Sequence, residues 1–363
     1  MKIVSAETMV VEIPFQLRGT GVGIMPTAWK SLEFALVRLE DERGNVGWGE
    51  GFGYFTVDAT KAIMDQLILP TLIGTTIEDI PAWNLQTQRR IHMFGRYGVT
   101  MFAIGGVDLA LWDLKGKREG VSVSKLLGNG QRTSIPFYCS PVRYADPKLA
   151  AMTCEEAMKA GFSDIKLHEI ALKEIAACRE VLGDTRAMCV DVNCAWTKDF
   201  IDANRAELEE LNLSWLEEPI FPPEDFEALA ERRSSSFPIA AGENWCTTQQ
   251  FRSALSAGAV DIVQPSVTKV GGISEFAAVL DVASQFDASV MPHSPYFGPG
   301  FFASLQLAAA FDSVKALEWN FVQPDAWLAD VEGIRRGDVV NVPQGPGLGF
   351  EPDMDVLKRY RRA

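Results

Sequence analysis

Three acidic residues recur at one interval. Asp191, Glu217 and Glu243 stand 26 residues apart (191 to 217, 217 to 243), and they fall at the ends of the apolar runs MCVDVN, SWLEEP and PIAAGEN. Side chains supplied at one spacing by successive units of the same kind converge, and three bare carboxylates would repel one another. A hard divalent cation removes that cost. An all-oxygen donor set favours magnesium over zinc, with manganese as the alternative. A single acid at such a position is usually a helix cap, but three in consecutive units favour a metal site. Basic groups lie on neighbouring runs. Lys166 and His168 alternate in DIKLH, so both face one way, and His293 ends SVMPH. The chain has 3 histidines, and His92, in a helical stretch, reads as structural. A cation flanked by bases suits removal of a proton α to a carboxylate, because the ion stabilises the enediolate that forms. A cationic neighbour lowers a lysine's pKa, so either Lys166 or His168 can be the base.

The elements that must position these groups follow from the rhythm of the chain. From Ser134 onward, eight short apolar runs (IPFYCS, DIKLH, MCVDVN, SWLEEP, PIAAGEN, DIVQPS, SVMPH, KALEW) alternate with seven amphipathic stretches. That is the pattern of a parallel (β/α)8 TIM-type barrel, whose active site lies at the C-terminal ends of its strands. Residues 1–130 read differently: extended runs near 1–15, 31–40 and 46–50, with a turn at 41–45, precede helical patterns near 58–69, 78–93 and 99–118. Strands then helices predict a separate α+β unit. The expected division is 1–130, a barrel over 131–323, and a loop-rich segment 324–363 that packs back on the first unit.

Composition excludes other classes. The 363 residues suit about two domains, and 47% apolar with 23% charged residues is ordinary globular usage. A net charge of −14 repels phosphate backbones and anionic lipid, so neither nucleic acid nor a membrane surface is an expected partner. Glu7 and Glu12 interrupt any signal-like apolar run at the start, and prolines and glycines break the uncharged stretch 288–311. The 6 cysteines show no CxxC spacing, which predicts reduced thiols in a cytoplasmic protein. No phosphate-binding glycine motif occurs, so no nucleotide cofactor is expected. Gly271 and Gly272 read as a tight turn into a helix.

The series KLH, VDVN, WLEEP, AAGEN, VTKVGG, PHSPYFGPG and ALEW, with the late PQGPGLGFEPD, resembles the enolase superfamily, mandelate racemase/muconate-lactonizing branch, and within it the mandelate racemase-like subgroup. The resemblance implies a modified barrel under an N-terminal α+β capping domain. It implies one Mg2+ per subunit on Asp191, Glu217 and Glu243, with Lys166 and His293 as acid/base groups. Glu318 matches the glutamate that hydrogen-bonds the substrate carboxylate, and the family is commonly homo-oligomeric. Two positions depart from the family pattern. His168 replaces a second lysine, and Ser266 replaces an aspartate that orients the strand-seven histidine. Without that carboxylate His293 should be a weaker base but a serviceable acid. The expectation is therefore dehydration of a hydroxy or sugar acid to a 2-keto acid. The alternatives are a racemase, epimerase or cycloisomerase of a carboxylate substrate, or a barrel that only binds. Specificity is expected from the loops Gln16 to Thr27 and Gly51 to Thr56. In these, Arg18 either pairs with a distal carboxylate or faces solvent, while Tyr54, Tyr138, Ser140 and Asn193 are placed to meet substrate.

Overall fold

The computed structural model describes residues 1–16, 29–128, 130–234 and 236–362. Strands β1 (Ile3–Gln16), β2 (Ser31–Asp41) and β3 (Val46–Gly51) form an antiparallel meander. Its register sets buried Val11 opposite buried Phe34. The predicted turn at 41–45 is closed by Asp41, whose Oδ1 accepts the N–H groups of Arg43 and Asn45 at 2.9 Å each. Helices follow: α1 (Val57–Ile63), a π-helical stretch Met64–Ile68, α2 (Leu69–Leu72), α3 (Ile80–Arg90), α4 (Val99–Glu119) and α5 (Val123–Leu127). Asp79 caps α3, accepting Ala82 N–H at 2.8 Å, and Pro81 occupies the first turn. His92, exposed beside α3, has its Nδ1 2.7 Å from the Arg89 carbonyl, a local structural contact.

Helix α4 is buried on most of its circumference because the meander packs on it from one side and the barrel from the other. The approach to β3 is so close that a Cβ on Gly49 would lie 2.0 Å from the Gly106 carbonyl oxygen. Buried polar groups fix the cap to the barrel. Asp108 accepts Ser274 N–H at 3.0 Å and Asn84 Nδ2 at 2.8 Å, and the same amide reaches the Gly271 carbonyl at 2.8 Å. Gly271 and Gly272, at φ 121° and 95°, make the expected turn into the barrel's sixth helix.

The barrel has the predicted alternation: β4 (Ser134–Ser140), α6 (Pro147–Lys159), β5 (Ile165–Leu167), α7 (Leu172–Leu182), β6 (Met188–Asp191), α8 (Lys198–Ala203) with α9 (Arg205–Glu210), β7 (Leu216–Glu217), α10 (Phe226–Arg232), β8 (Ile239–Ala241), α11 (Thr247–Ser256), β9 (Ile262–Val263), α12 (Ile273–Gln285), β10 (Ser289–Val290), α13 (Pro299–Ala310) and β11 (Leu317–Asn320). Strands β4 to β10 pair in chain order, all parallel, and β11 closes onto β4. Among the described residues no backbone pairing joins β10 to β11; Val290 of β10 bridges to Val314, which precedes β11. Side chains tie that seam instead: Ser294 Oγ accepts Glu318 N–H at 2.8 Å, and Ser294 N–H reaches Glu318 Oε2 at 3.3 Å. Tyr138, Cys189, Trp215 and Ala240 fill a separate cluster among strands β4, β6, β7 and β8.

The C-terminal segment spreads over both units. β12 (Gln323–Pro324) pairs with β1, and α14 (Met354–Tyr360) packs on the same strand. β13 (Arg335–Arg336) and β14 (Val339–Asn341) form a hairpin whose inner strand pairs with Ser134–Pro136, the part of β4 that projects below the barrel ladder. The basic end of the chain is paired: Arg361 meets Glu7 at 2.8 Å and Arg362 meets Asp58 at 2.7 Å. The six cysteines are free thiols. Among the described residues no helix is long and apolar enough to cross a membrane.

Candidate active site

Strand ends turn sharply at the barrel mouth. Asn193, Cys194 and Glu218 have φ of 44°, 61° and 41°, a left-handed conformation that costs non-glycine residues about 1–2 kcal/mol each. Such strain is held where the surrounding packing over-determines it. The turns set polar side chains side by side. Lys166 Nζ lies 3.2 Å from Asp191 Oδ2, 2.9 Å from Glu217 Oε1 and 3.0 Å from Glu318 Oε1, with all four groups fully buried. Glu217 Oε2 accepts Gln264 Nε2 at 2.6 Å and the Trp215 indole at 3.0 Å. Glu218 accepts Asn244 Nδ2 at 2.9 Å, and Asn244 Oδ1 accepts Lys269 Nζ at 2.7 Å. Glu243 Oε1 is 3.4 Å from the same ammonium. His293 Nδ1 stands 2.6 Å from Glu243 Oε2 and 3.6 Å from Glu318 Oε2.

Five buried carboxylates, Asp191, Glu217, Glu218, Glu243 and Glu318, thus face two ammonium groups, Lys166 and Lys269. The surplus of negative charge is what a divalent cation requires. Glu217, Glu243 and His293 each present a ligand atom within 4.8 Å of the others, and Asp191 joins Glu217 across the Lys166 ammonium. Glu243 Oε2 is buried with His293 Nδ1 beside it at 2.6 Å and makes no well-aligned hydrogen bond. The residues fit magnesium, an oxygen-seeking cation.

Electrostatics separates the two strand-two bases. Burial disfavours a charged Lys166, but Glu217, Glu318 and Asp191 together outweigh it and hold the ammonium well above the ordinary lysine range. His168 moves the other way: burial first, then the Lys166 charge, lowers its pKa, so the imidazole is neutral at neutral pH. Its Nδ1 lies 2.7 Å from the Pro141 carbonyl, which can only accept; the proton is therefore on Nδ1 and Nε2 keeps its lone pair. Burial, then Glu243, pushes Glu218 up to about 8. Burial raises the Glu243 carboxyl, but His293 and Lys269 prevail and hold it well below its usual range.

A cavity of about 390 Å³ opens over this cluster, between barrel and cap. His168, Asn193, Ser140, Tyr54, His293 and Glu318 line it, as do Glu243, Glu218, Asn244 and Lys269. Lys166, Asp191 and Glu217 do not. The Tyr54 and Ser140 hydroxyls are committed within the protein, to the Pro295 carbonyl at 3.0 Å and to Glu318 Oε1 at 2.6 Å. Tyr138 points into the barrel cluster and does not reach the cavity. Arg18 and nearly all of its loop lie outside the described residues. Ser266 is buried with its hydroxyl against that of Tyr296. The expectation that His293 lacks an acidic neighbour is nonetheless wrong, because Glu243 and Glu318 stand beside its Nδ1. Glu218 and Asn244 were visible as strand-end residues, whereas Gln264 and Lys269 carried no signal beyond their polarity in DIVQPSVTKVGG.

Known proteins resemble this chain in sequence and fold. Residues 5–128 match the mandelate racemase/muconate lactonizing enzyme N-terminal domain, and residues 149–356 match the enolase C-terminal domain-like family. The chain is similar to D-galactarolactone cycloisomerase of Agrobacterium fabrum, 31% identical with 90% of each chain covered. It is equally similar to arabinonate dehydratase of Saccharolobus solfataricus, 31% identical over 91% of each. A solved racemase from Streptomyces coelicolor A3(2) with bound magnesium superposes with a TM-score of 0.84 at 26% identity, covering 99% of this chain and 100% of that one. With both domain families matched in order and across most of its length, the chain belongs to the mandelate racemase/muconate-lactonizing branch of the enolase superfamily.

Proposed function

We propose that this protein is a magnesium-dependent lyase that removes the α-proton of a sugar-acid carboxylate and expels the β-hydroxyl, yielding a 2-keto acid. The observation that carries the reading is the cavity itself, in which histidines from two barrel strands flank carboxylates with excess negative charge. Relatives of both outcomes, a dehydratase and a cycloisomerase, support the shared first step. Asp191, Glu217 and Glu243 would hold the Mg2+, with Mn2+ as a substitute; when bound, the ion supplies the charge that stabilises an enediolate. His168 Nε2 takes the α-proton, since the imidazole is neutral and lines the cavity, and Nε2, 3.5 Å from Asp191 Oδ2, carries the lone pair. Lys166, closed off from the cavity, serves as a fixed positive charge that keeps three carboxylates together. His293 carries the proton delivered to the leaving hydroxyl, and its Nδ1 stands 2.6 Å from Glu243 Oε2 and 3.6 Å from Glu318 Oε2. Glu318, Asn193 and Ser140 position the substrate, and Tyr54 shapes the wall.

Residues 1–130 would cover the mouth and 131–323 carry the chemistry. The buried free thiols fit a reducing cytoplasm. A homo-oligomer is supported by Met93, Phe94 and Tyr97, exposed by 75%, 57% and 55% on the cap.

The test is a panel of sugar acids, assayed for 2-keto acid in the presence of Mg2+, with α-deuterium uptake followed in D2O. Keto acid is expected, lost on chelation and restored by Mg2+. Deuterium uptake without keto acid would favour the racemase, epimerase or cycloisomerase reading. Neither product across the panel overturns α-proton chemistry altogether.

A further inference from the structure

His293 stands on a stretch without helix or strand. Residues 291–298 join β10 to α13, and every residue from Pro292 to Gly300 is buried. A buried segment of this kind must find partners for its backbone polar groups outside a ladder, and Pro292, Pro295 and Pro299 have no N–H to offer. The partners come from three directions. From β11, Glu318 Oε2 accepts the Ser294 N–H and the Glu318 N–H donates to Ser294 Oγ. Beyond β9, Ser266 pairs with the Tyr296 hydroxyl, and the Tyr296 ring stands edge-on to the His293 imidazole with centroids 5.9 Å apart. The third direction is the cap. Glu50 Oε2, on β3, accepts the Gly300 N–H at 2.9 Å, and the Tyr54 hydroxyl lies 3.0 Å from the Pro295 carbonyl oxygen.

That last bond ends two residues from His293. A phenol keeps its proton at neutral pH and a carbonyl only accepts, so Tyr54 is the donor. Its ring is fixed from both sides, with the Trp29 and Phe52 rings each 4.8 Å away. The backbone around it is tied down too. Phe52 N–H donates to the Thr268 carbonyl at 3.4 Å, and Thr56 N–H closes a turn on the Gly53 carbonyl at 2.7 Å. The Tyr54 hydroxyl is thus presented to the barrel by a braced piece of the cap.

We infer that Tyr54 is a positioning residue for His293: by holding the Pro295 carbonyl, it sets the imidazole where the leaving hydroxyl is protonated. This inference rests on the role given to His293 in the function proposed above. Without the hydroxyl the buried carbonyl loses its partner, a cost that the segment relieves by moving. A shift of about 1 Å at a reacting group slows a reaction by about 10²-fold. His168 is held separately, by the Pro141 carbonyl, so removal of the α-proton continues.

Tyr54→Phe tests this, because it keeps the ring and its packing and removes the hydroxyl alone. With Mg2+ and the sugar acid that the wild type turns over best, keto-acid formation should fall about 10–100-fold while KM stays within about threefold. Substrate recovered from D2O should carry deuterium at the α-carbon, because the enediolate returns when the leaving hydroxyl is not protonated. Added to His293→Asn, Tyr54→Phe should cost nothing further, since both act on one proton transfer. A rise in KM alone, an unchanged rate, slowed keto-acid formation without labelled substrate, or losses that multiply in the double variant overturn the inference. Hydrogen exchange of the amides between 293 and 298 reads the same bond without turnover, and in Tyr54→Phe it should quicken at least about fivefold. Wild-type protection there overturns the inference in every case. If no acid reacts with the wild type, the proposed function fails, and exchange alone decides whether Tyr54 fixes the His293 segment.

Discussion

At the scale of single residues, the two groups of the Lys166–His168 pair have opposite fates, and substitution separates them. His168→Asn keeps an N–H where Nδ1 donates to Pro141 but removes the lone pair of Nε2. We expect kcat to fall by about 10²–10⁴, with the melting temperature and Mg2+ affinity close to wild type. Removing Lys166 instead leaves Asp191, Glu217 and Glu318 without their shared ammonium. Loss of one partner from a buried ionic cluster costs about 3–5 kcal/mol, so Lys166→Met should melt early in a thermal scan even before activity is assayed. A stable, inactive Lys166→Met alongside an active His168→Asn would reverse the assignment. The carboxylates, both histidines and this lysine were legible in the sequence because strand ends at a barrel mouth are set by period and spacing. The tautomer of His168 was not, since it depends on a carbonyl 27 residues earlier. Nor were Glu243 and Glu318 as neighbours of His293, a contact made across strands in three dimensions.

At the scale of elements, the cap depends on how near β3 comes to α4. A methyl group at Gly49 would have to occupy the space of the Gly106 carbonyl and of the Ala110 backbone N–H, 2.0 Å and 2.6 Å away. Backbone on both sides cannot yield as a flexible side chain does, so Gly49→Ala should destabilise the protein by at least about 2 kcal/mol. Denaturant titration measures this, and a midpoint equal to wild type would mean that the helix can move off the sheet. The extended run 46–50 was readable in the sequence, but the close approach that its glycines permit was not. The strand–helix alternation after Ser134 was readable because every barrel unit repeats it. The split of the third helix into α8 and α9, and the hairpin β13–β14 on the lower end of β4, follow no repeat and left no pattern to read.

For the molecule as a whole, the interface between cap and barrel holds acids that have no counter-charge beside them among the described residues. Burial lifts Glu50 to about 8, and its Oε2 accepts the Gly300 N–H at 2.9 Å. Burial likewise lifts Asp108 to about 7. Between the unfolded carboxyl range and these values the folded state holds protons that the unfolded chain releases, so stability falls as pH rises through that window. The melting temperature should therefore drop from pH 5 to pH 8, and Glu50→Gln, an uncharged mimic, should remove part of the drop. A Glu50→Gln curve parallel to wild type would show that the acid is solvated. The barrel wall has a comparable economy at its last seam. Where β10 meets β11 without a backbone pairing among the described residues, the closure passes through Glu318 and Ser294. The carboxylate proposed to greet the substrate is also a rivet of the scaffold. Anyone diversifying strand eight to redirect the enzyme should find that libraries randomised at Glu318 lose soluble protein along with turnover, so that new specificities are better sought at Asn320, two residues further along the same strand.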